Sequence, residues 1–168
     1  MLLWLFIIAL IVCIICAVSY LVSSRRAQLI RHPENQRPPS PANSKKKMDV
    51  LSFIDEMDGH DFELFCAELL ERSGYQQVHV TRESGDQGVD IIAVKHGLRY
   101  AFQCKRYSSK IGNSAVQQVN TGRMLYSCSI GVVITNCYFT AGAKQAAKAV
   151  GVELWDRDVL GDKIARLR

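Results

Sequence analysis

An uncharged apolar run near the start constrains this chain more than any other feature. Leu2 to Val22 is a stretch of 21 residues without one charged side chain. At about 1.5 Å of rise per residue, a helix of that length spans roughly 30 Å, which is the thickness of a bilayer's hydrocarbon core. The sequence therefore predicts one transmembrane helix in residues 1–22, followed by a folded body.

A cleaved export signal is the alternative to a retained anchor for this run. Export signals carry a basic stretch before a shorter apolar core and end at a small-x-small cleavage site. Here only Met1 precedes the run, and Ala17-Val18-Ser19 follows an apolar stretch longer than export normally uses. These misfits favour an anchor. Three arginines follow the run before residue 32, and basic flanks stay in the cytoplasm. The prediction is a single-pass protein of the inner (cytoplasmic) membrane whose C-terminal body faces the cytoplasm.

Residues 23–49 have the composition of a linker. The segment is polar, lacks apolar periodicity and contains all four prolines together with Lys45-Lys46-Lys47. Such a segment tethers rather than folds. Its basic residues either lie against anionic lipid head groups, which attract polybasic juxtamembrane stretches, or belong to a soluble spacer.

The net charge of +5 comes entirely from this first part of the chain. Residues 1–49 hold seven Lys and Arg against two acids, and the other 119 residues hold 14 of each sign. The net charge thus describes the juxtamembrane segment and not a nucleic-acid-binding face. Inside the body, Ile91 to Val152 holds eight basic residues and no acid. That stretch forms either one basic face or an ordinary solvated surface.

The body, residues 50–168, alternates helical and strand patterns. Apolar periodicity and turn residues predict helices over 59–73, 113–126, 141–149 and 158–167, and strands over 78–81, 89–95, 100–106, 130–135 and 152–155. The second and third strands form a hairpin that reverses at His96-Gly97. This order predicts an α/β domain with a mixed central β-sheet flanked by helices.

Cysteines, histidines and glycines do not predict a zinc or nucleotide site. The one Cys-x-x-Cys, Cys13 to Cys16, lies inside the apolar run without a second ligand pair. The three histidines of the body lack metal-ligand spacing, and the remaining cysteines are expected to be free thiols. Gly85 to Gly88 lacks the lysine and the spacing of a phosphate-binding loop, so no nucleotide cofactor is predicted.

The predicted hairpin carries the candidate catalytic residues. Asp90 stands among apolar residues on its first strand, and Gln103 and Lys105 are two apart on the return strand, so these two share a face. Hydrolysis of a phosphodiester uses a divalent cation, for which Asp90 and Gln103 offer oxygen ligands, and a nearby lysine can orient the attacking water. Solubility charges on an ordinary polar strand are the alternative, and spacing alone does not exclude it.

Three successive motifs resemble those of the Mrr-like restriction endonuclease family. They are Gly59-His60-Asp61-Phe62-Glu63, Gly85-Asp86-Gln87-Gly88-Val89-Asp90 and Gln103-Cys104-Lys105-Arg106-Tyr107, and the similarity continues as far as Leu154-Trp155-Asp156-Arg157. It covers most of residues 58–160. The family belongs to the PD-(D/E)XK nuclease superfamily, so the resemblance implies a restriction-endonuclease-like core and DNA cleavage dependent on Mg²⁺ or Mn²⁺.

The resemblance also implies roles for individual residues. Asp90 would bind the metal, Gln103 would take the place of the usual second carboxylate, and Lys105 would be the catalytic lysine. Glu63 matches the acid on the family's first helix and would point toward the same metal. A neutral amide holds a cation less firmly than a carboxylate does, so Gln103 affects metal affinity first.

Two further positions match the family in supporting roles, Asp86 and Gln117. The function predicted from the sequence is that of a membrane-anchored, metal-dependent DNA endonuclease in restriction or DNA processing, with a homodimer left open. Two alternatives remain: a DNA-binding module that cleaves weakly or not at all, and a membrane-bound interaction domain.

Overall fold

The computed structural model describes residues 50–81 and 87–167. The predicted transmembrane helix in residues 1–22, the predicted linker and Asp86 lie outside these residues. Across the two described stretches, no helix is both long enough and apolar enough to cross a membrane.

A five-stranded mixed sheet forms the centre of the domain. Its strands are β1 (Gln76–Val80), β2 (Ile91–Lys95), β3 (Leu98–Lys105), β4 (Ile130–Thr135) and β5 (Val152–Trp155), and they lie side by side in chain order. The first three strands pair antiparallel, and β3, β4 and β5 pair parallel. Parallel neighbours need a crossover, and helices supply both crossovers.

The helices of the described chain are α1 (50–56), α2 (Gly59–Arg72), α3 (Asn113–Leu125), α4 (Ala141–Val150) and α5 (Arg157–Ala165). Side-chain caps fix where three of them begin. Asp58 Oδ1 accepts from Asp61 N at 2.8 Å at the start of α2, and Thr140 and Asp156 accept in the same way at the starts of α4 and α5. Each cap satisfies a backbone N–H that has no partner within the helix.

Helices cover both faces of the sheet, and strand alternation divides the side chains between two cores. On β3, Phe102 and Cys104 pack with α1 and α2, whereas Ala101 packs with α3 and α4 on the other face. This division confirms that Gln103 lies on the face opposite Phe102 and Cys104, as the period of two requires.

Every helix and strand predicted for the body is present, with bounds that differ by up to two residues. The hairpin turn is also where it was predicted. His96 and Gly97 both have positive φ, 51° and 74°, which is the backbone of the two-residue turn that matches strand twist.

The sequence prediction omitted α1. This helix is short, yet it buries Leu51 and Ile54 in the core against α2. With only two apolar residues inward, it gives too little periodicity to be recognised from sequence.

The acid-free stretch does not form a single basic face. Lys95 and Arg99 lie at the hairpin-turn end of the sheet, where Lys95 Nζ donates to Ser73 O at 2.7 Å. Lys105 and Arg106 lie at the opposite end, where β3 finishes. The charges of these four residues are therefore divided between the two ends of the sheet.

Candidate active site

The turn before β2 positions Asp90. The sequence placed Asp90 within the strand, but it lies one residue before β2 begins. Its backbone N donates to Phe102 O at 2.8 Å and its carbonyl accepts from Thr81 N at 2.9 Å. Both neighbouring chain segments therefore hold its backbone, and the residue is 7% exposed. The carboxylate has a fixed place in a nearly buried site.

That carboxylate reaches across to the end of β3. Asp90 Oδ2 accepts from the backbone N–H of Cys104 at 2.5 Å. Because Cys104 stands between Gln103 and Lys105, the bond brings the three predicted site residues together at one end of the sheet. A charge-assisted hydrogen bond of this kind is short and fixes geometry as well as charge.

Gln103 is the most buried polar group of the site. It is 2% exposed and pairs in register with Val133 of β4. Its Oε1 atom is buried and has no hydrogen-bond partner among the described residues. A buried acceptor without a partner costs about 1–3 kcal/mol. A cation is one group that satisfies such an oxygen, so the amide of Gln103 and the carboxylate of Asp90 together fit a divalent ion that prefers oxygen ligands.

Glu63 lies on α2, and its approach to the same metal site stays a prediction. Its side chain is 25% exposed and lies 4.0 Å from His60 Nδ1. The pKa of the buried Cys104 thiol is raised well above its usual value, first by its hydrogen bond with Cys66, then by burial, and also by the nearby negative charges of Asp90 and Glu63. Of the two acids, Asp90 contacts Cys104 directly, through the hydrogen bond from the Cys104 N–H. Within the described residues, no three His, Cys, Asp or Glu side chains gather closely enough to hold a metal by themselves.

Lys105 is half-buried and is the last residue of β3. Its carbonyl accepts from Thr135 Oγ1 at 2.6 Å, which ties the end of β3 to the end of β4. Strand alternation puts its side chain on the face of Gln103. Gln117 is exposed on α3, and its supporting role stays a prediction, as does that of Asp86.

Two glycines that the sequence analysis did not single out as functional hold the turn that carries Asp90. A Cβ on Gly122, in the last turn of α3, would lie 2.4 Å from Val89 Cγ2 and 2.8 Å from Gln87 O. A Cβ on Gly88, whose φ is 79°, would lie 2.6 Å from Gln118 Cβ. Only glycine allows the turn and α3 to approach this closely. An isolated glycine inside a helical pattern signals such an approach.

A second polar cluster, also missed from the sequence, lies beyond the ends of β3 and β4. Arg157 donates from both terminal nitrogens to the Asp55 carboxylate at 2.7 and 2.8 Å. Asn136 Nδ2 donates to Asp55 Oδ1 at 2.9 Å, and Asn136 Oδ1 accepts from Tyr107 N at 2.9 Å. The hydrogen bond from Arg157 is the main cause that lowers the pKa of Asp55. This closed network joins α1 and α5 to the loops that follow β3 and β4.

Comparison with a family model identifies the family of the chain. A model described as restriction endonuclease matches residues 54–164, which is about two thirds of the chain. The chain belongs to this restriction endonuclease family. The matched residues contain Glu63, Asp90, Gln103 and Lys105, and the family predicted from the motifs is confirmed. No curated protein matches the chain in a sequence comparison.

Solved restriction endonucleases share the fold. The MspJI restriction endonuclease, in complex with a 27-mer oligonucleotide, is 24% identical with a TM-score of 0.56, over 82% of this chain and 34% of that one. The DNA modification-dependent restriction endonuclease AspBHI is 16% identical with a TM-score of 0.56, over 82% and 38%. The chain spans about a third of the length of these structures. At such identities the likeness shows the fold alone, and the predicted restriction-endonuclease-like core is confirmed.

Proposed function

We propose that this restriction endonuclease family member hydrolyses DNA phosphodiester bonds with the help of a divalent metal ion, Mg²⁺ or Mn²⁺. The observation that carries the proposal is the buried, unpaired Oε1 of Gln103 beside the Asp90 carboxylate. Family membership supports nuclease chemistry, and the fold shared with MspJI, a structure that contains an oligonucleotide, supports DNA as the partner.

In this mechanism, the residues around the end of β3 have different roles. Asp90 and Gln103 would hold the ion, with Glu63 on the side of α2. When bound, the ion stabilises charge at the phosphorus and lowers the pKa of the attacking water. The Cys104 N–H holds the Asp90 carboxylate in position, which preserves the geometry that the reaction needs.

Lys105 would supply the positive charge of the site. Strand alternation would put its ammonium on the Gln103 face, from which it can orient the attacking water or donate to a phosphate oxygen as negative charge develops there. A preorganised donor of this kind is worth about 100- to 1000-fold in rate. Lys105 is therefore the residue whose removal separates catalysis from binding.

A plasmid-nicking assay on the full-length chain, with detergent present throughout, tests the proposal. Supercoiled plasmid should be nicked with Mg²⁺ or Mn²⁺ and remain intact in EDTA. We expect Lys105→Ala to lower the nicking rate by about 1000-fold. Lys148→Ala is the matched control, because Lys148 is exposed on α4 near the start of β5, at the other end of the sheet. Nicking by Lys105→Ala at the wild-type rate would exclude this mechanism.

A second candidate function is DNA binding without cleavage. The neutral Gln103 favours it, as does the lack of a cluster of three acids, cysteines or histidines in the part of the chain that the structure describes. DNA binding that weakens steeply with salt, in a protein that nicks no plasmid with either metal, would select this candidate over the nuclease.

We also propose that residues 1–22 anchor the chain in the inner (cytoplasmic) membrane, with the nuclease domain in the cytoplasm. The uncharged run and the arginines that follow it support this placement. An anchored chain stays with membranes through an alkaline carbonate wash. Its release by that wash would exclude the anchor.

A further inference from the structure

Arg106, which directly follows Lys105, has an unsatisfied donor. Its Nη1 donates to Asp55 O at 3.3 Å, at the long end of the hydrogen-bond range. Its Nε is buried and has no hydrogen-bond partner among the described residues. An unmade hydrogen bond of a charged group is costly, and the group that best satisfies a guanidinium edge is an anion with two oxygens in its plane.

A pocket of about 350 Å³ opens beside this guanidinium, where β3 and β4 end. Its lining includes Arg106, Tyr107, Ser108, Tyr138 and Arg157. The volume falls within the range of ligand pockets, about 300–1,000 Å³. The pocket therefore has room for a phosphate group together with part of the sugar or base attached to it.

The charge of the pocket favours an anion. Among the described residues, Asp55 is the one carboxylate in its lining, and Arg157 already pairs with it through two hydrogen bonds of 2.7 and 2.8 Å. The positive charge of Arg106 is therefore not balanced by a second carboxylate in the described lining of the pocket. Tyr107 and Tyr138 are 51% and 40% exposed, and exposed aromatic rings are the surfaces on which nucleic-acid bases stack.

Two unsatisfied buried atoms thus lie three residues apart at the end of β3, with opposite hydrogen-bonding sense. Gln103 Oε1 is an acceptor, which suits a cation, and Arg106 Nε is a donor, which suits an anion. We propose that the pocket binds a phosphate of the DNA strand next to the one being cleaved, with Arg106 as the phosphate-binding residue. This inference rests on the proposed function and extends it to a second phosphate position.

Fluorescence anisotropy measures the contribution of Arg106 to DNA binding without metal. The full-length chain in detergent is titrated into a labelled DNA duplex in EDTA at 50 to 300 mM KCl. Arg106→Gln should weaken binding by about tenfold or more and lower the salt slope by about one. Arg106→Lys should keep the slope but lose part of the affinity, because lysine lacks the planar fork.

The matched control is Arg72→Gln, which makes the same change of charge at an exposed arginine. Arg72 lies at the end of α2 and pairs with Glu68 at 2.6 Å; the next residue, Ser73, contacts Lys95 at the opposite end of the sheet from Arg106. Binding by Arg72→Gln should equal that of the wild type. The melting temperature of Arg106→Gln should also equal that of the wild type within about 2 °C, because the lost hydrogen bond is weak.

Two results would overturn the proposal. The first is wild-type DNA affinity in Arg106→Gln, and the second is an equal loss of affinity in Arg106→Gln and Arg72→Gln. If the first result is found and inorganic phosphate raises the melting temperature of the wild type but not of Arg106→Gln, the pocket binds a free anion and not DNA. If the wild type nicks plasmid and Arg106→Gln binds DNA with wild-type affinity, only the second phosphate site is excluded. If the wild type neither binds nor nicks DNA, the proposed nuclease function is excluded as well.

Discussion

Two buried amides lie at the same end of the sheet, and their surroundings differ. Asn136 is 3% exposed, and both polar atoms of its side chain are bonded, Nδ2 to Asp55 and Oδ1 to the N–H of Tyr107. Gln103 is 2% exposed, and its Oε1 has no partner in residues 50–81 and 87–167. The Asn136 amide is part of a hydrogen-bond network within the protein, whereas the Oε1 atom of Gln103 is available to a group from outside the chain.

The physical consequences of the two environments are opposite. A satisfied buried amide stabilises the fold modestly, and losing its partners costs the full desolvation of the groups left behind. A buried amide oxygen without a partner costs stability as it stands, because it gave up water and gained no hydrogen bond from the described residues. Asn136 therefore serves folding, and Gln103 fits a group that comes from outside the chain. Substitutions that remove one amide at a time test this difference.

Between the two amides, the largest expected effect is on cleavage in Gln103→Met, which keeps a side chain of similar length and removes the amide. The nicking rate should fall by about 100-fold or more, because the cation loses an oxygen ligand. The free energy of unfolding should stay equal or rise, because an unsatisfied acceptor is replaced by an apolar group. Nicking assays and urea unfolding in EDTA measure the two quantities.

Gln103→Glu is the matched control for that variant. A carboxylate at this position should lower the Mg²⁺ concentration needed for half-maximal nicking, because a charged oxygen holds the ion more firmly. A loss of more than about 1 kcal/mol of unfolding free energy in Gln103→Met would show that the amide has a structural partner, and the contrast with Asn136 would fail.

The next effect is on stability in Asn136→Leu, which keeps the branching of the side chain and removes both hydrogen bonds. The unfolding free energy should fall by about 2 kcal/mol, because the Tyr107 N–H loses its acceptor and Asp55 loses a donor. Urea unfolding of the full-length chain in detergent measures the change. A stability equal to that of wild type would show that the network contributes nothing and that the two amides do not differ.

The part of this contrast that depends on local pattern could be predicted from sequence. A hairpin with a two-residue turn and a side-chain period of two places Asp90 beside Gln103 and gives Gln103 and Lys105 one face. The burial of Gln103 could not be predicted in the same way. It depends on β4 and on the α3 side of the sheet, and both are brought there by pairing between distant parts of the chain.

The Asn136 network lay beyond prediction for the same reason. Asp55 and Arg157 are 102 residues apart, and no periodicity links a short first helix to the last one. Gly122 is different, because an isolated glycine in a helical pattern already signals a close approach. What it approaches, the turn at Gln87 and Val89, is evident only from the structure.

The smallest expected effect is on the pH dependence of stability in Asp55→Asn, a substitution in the network of Asp55, Asn136 and Arg157. Asp55→Asn should lower the unfolding free energy by about 1 kcal/mol or less at pH 7, because the side chains of Asp55 and Arg157 are 40% and 25% exposed and solvent screens the pair. The hydrogen bond from Arg157 lowers the pKa of Asp55 in the folded chain, below an unfolded value of about 3.9. A lowered folded pKa means that the stabilisation is complete above about pH 4 and is lost as the pH falls through the folded pKa.

The difference in unfolding free energy between wild type and Asp55→Asn, measured in urea, should therefore be constant from pH 7 to 5 and shrink below pH 4. Glu56→Gln, at an exposed carboxyl on the same helix, is the control and should show no comparable loss at pH 7. A difference that persists unchanged at pH 3 would mean that the Asp55→Asn substitution disturbs packing rather than charge. We also expect metal-dependent nicking by Asp55→Asn to be unchanged. That result would show that the network of Asp55, Asn136 and Arg157 stabilises the fold and does not contribute to the metal site at Gln103.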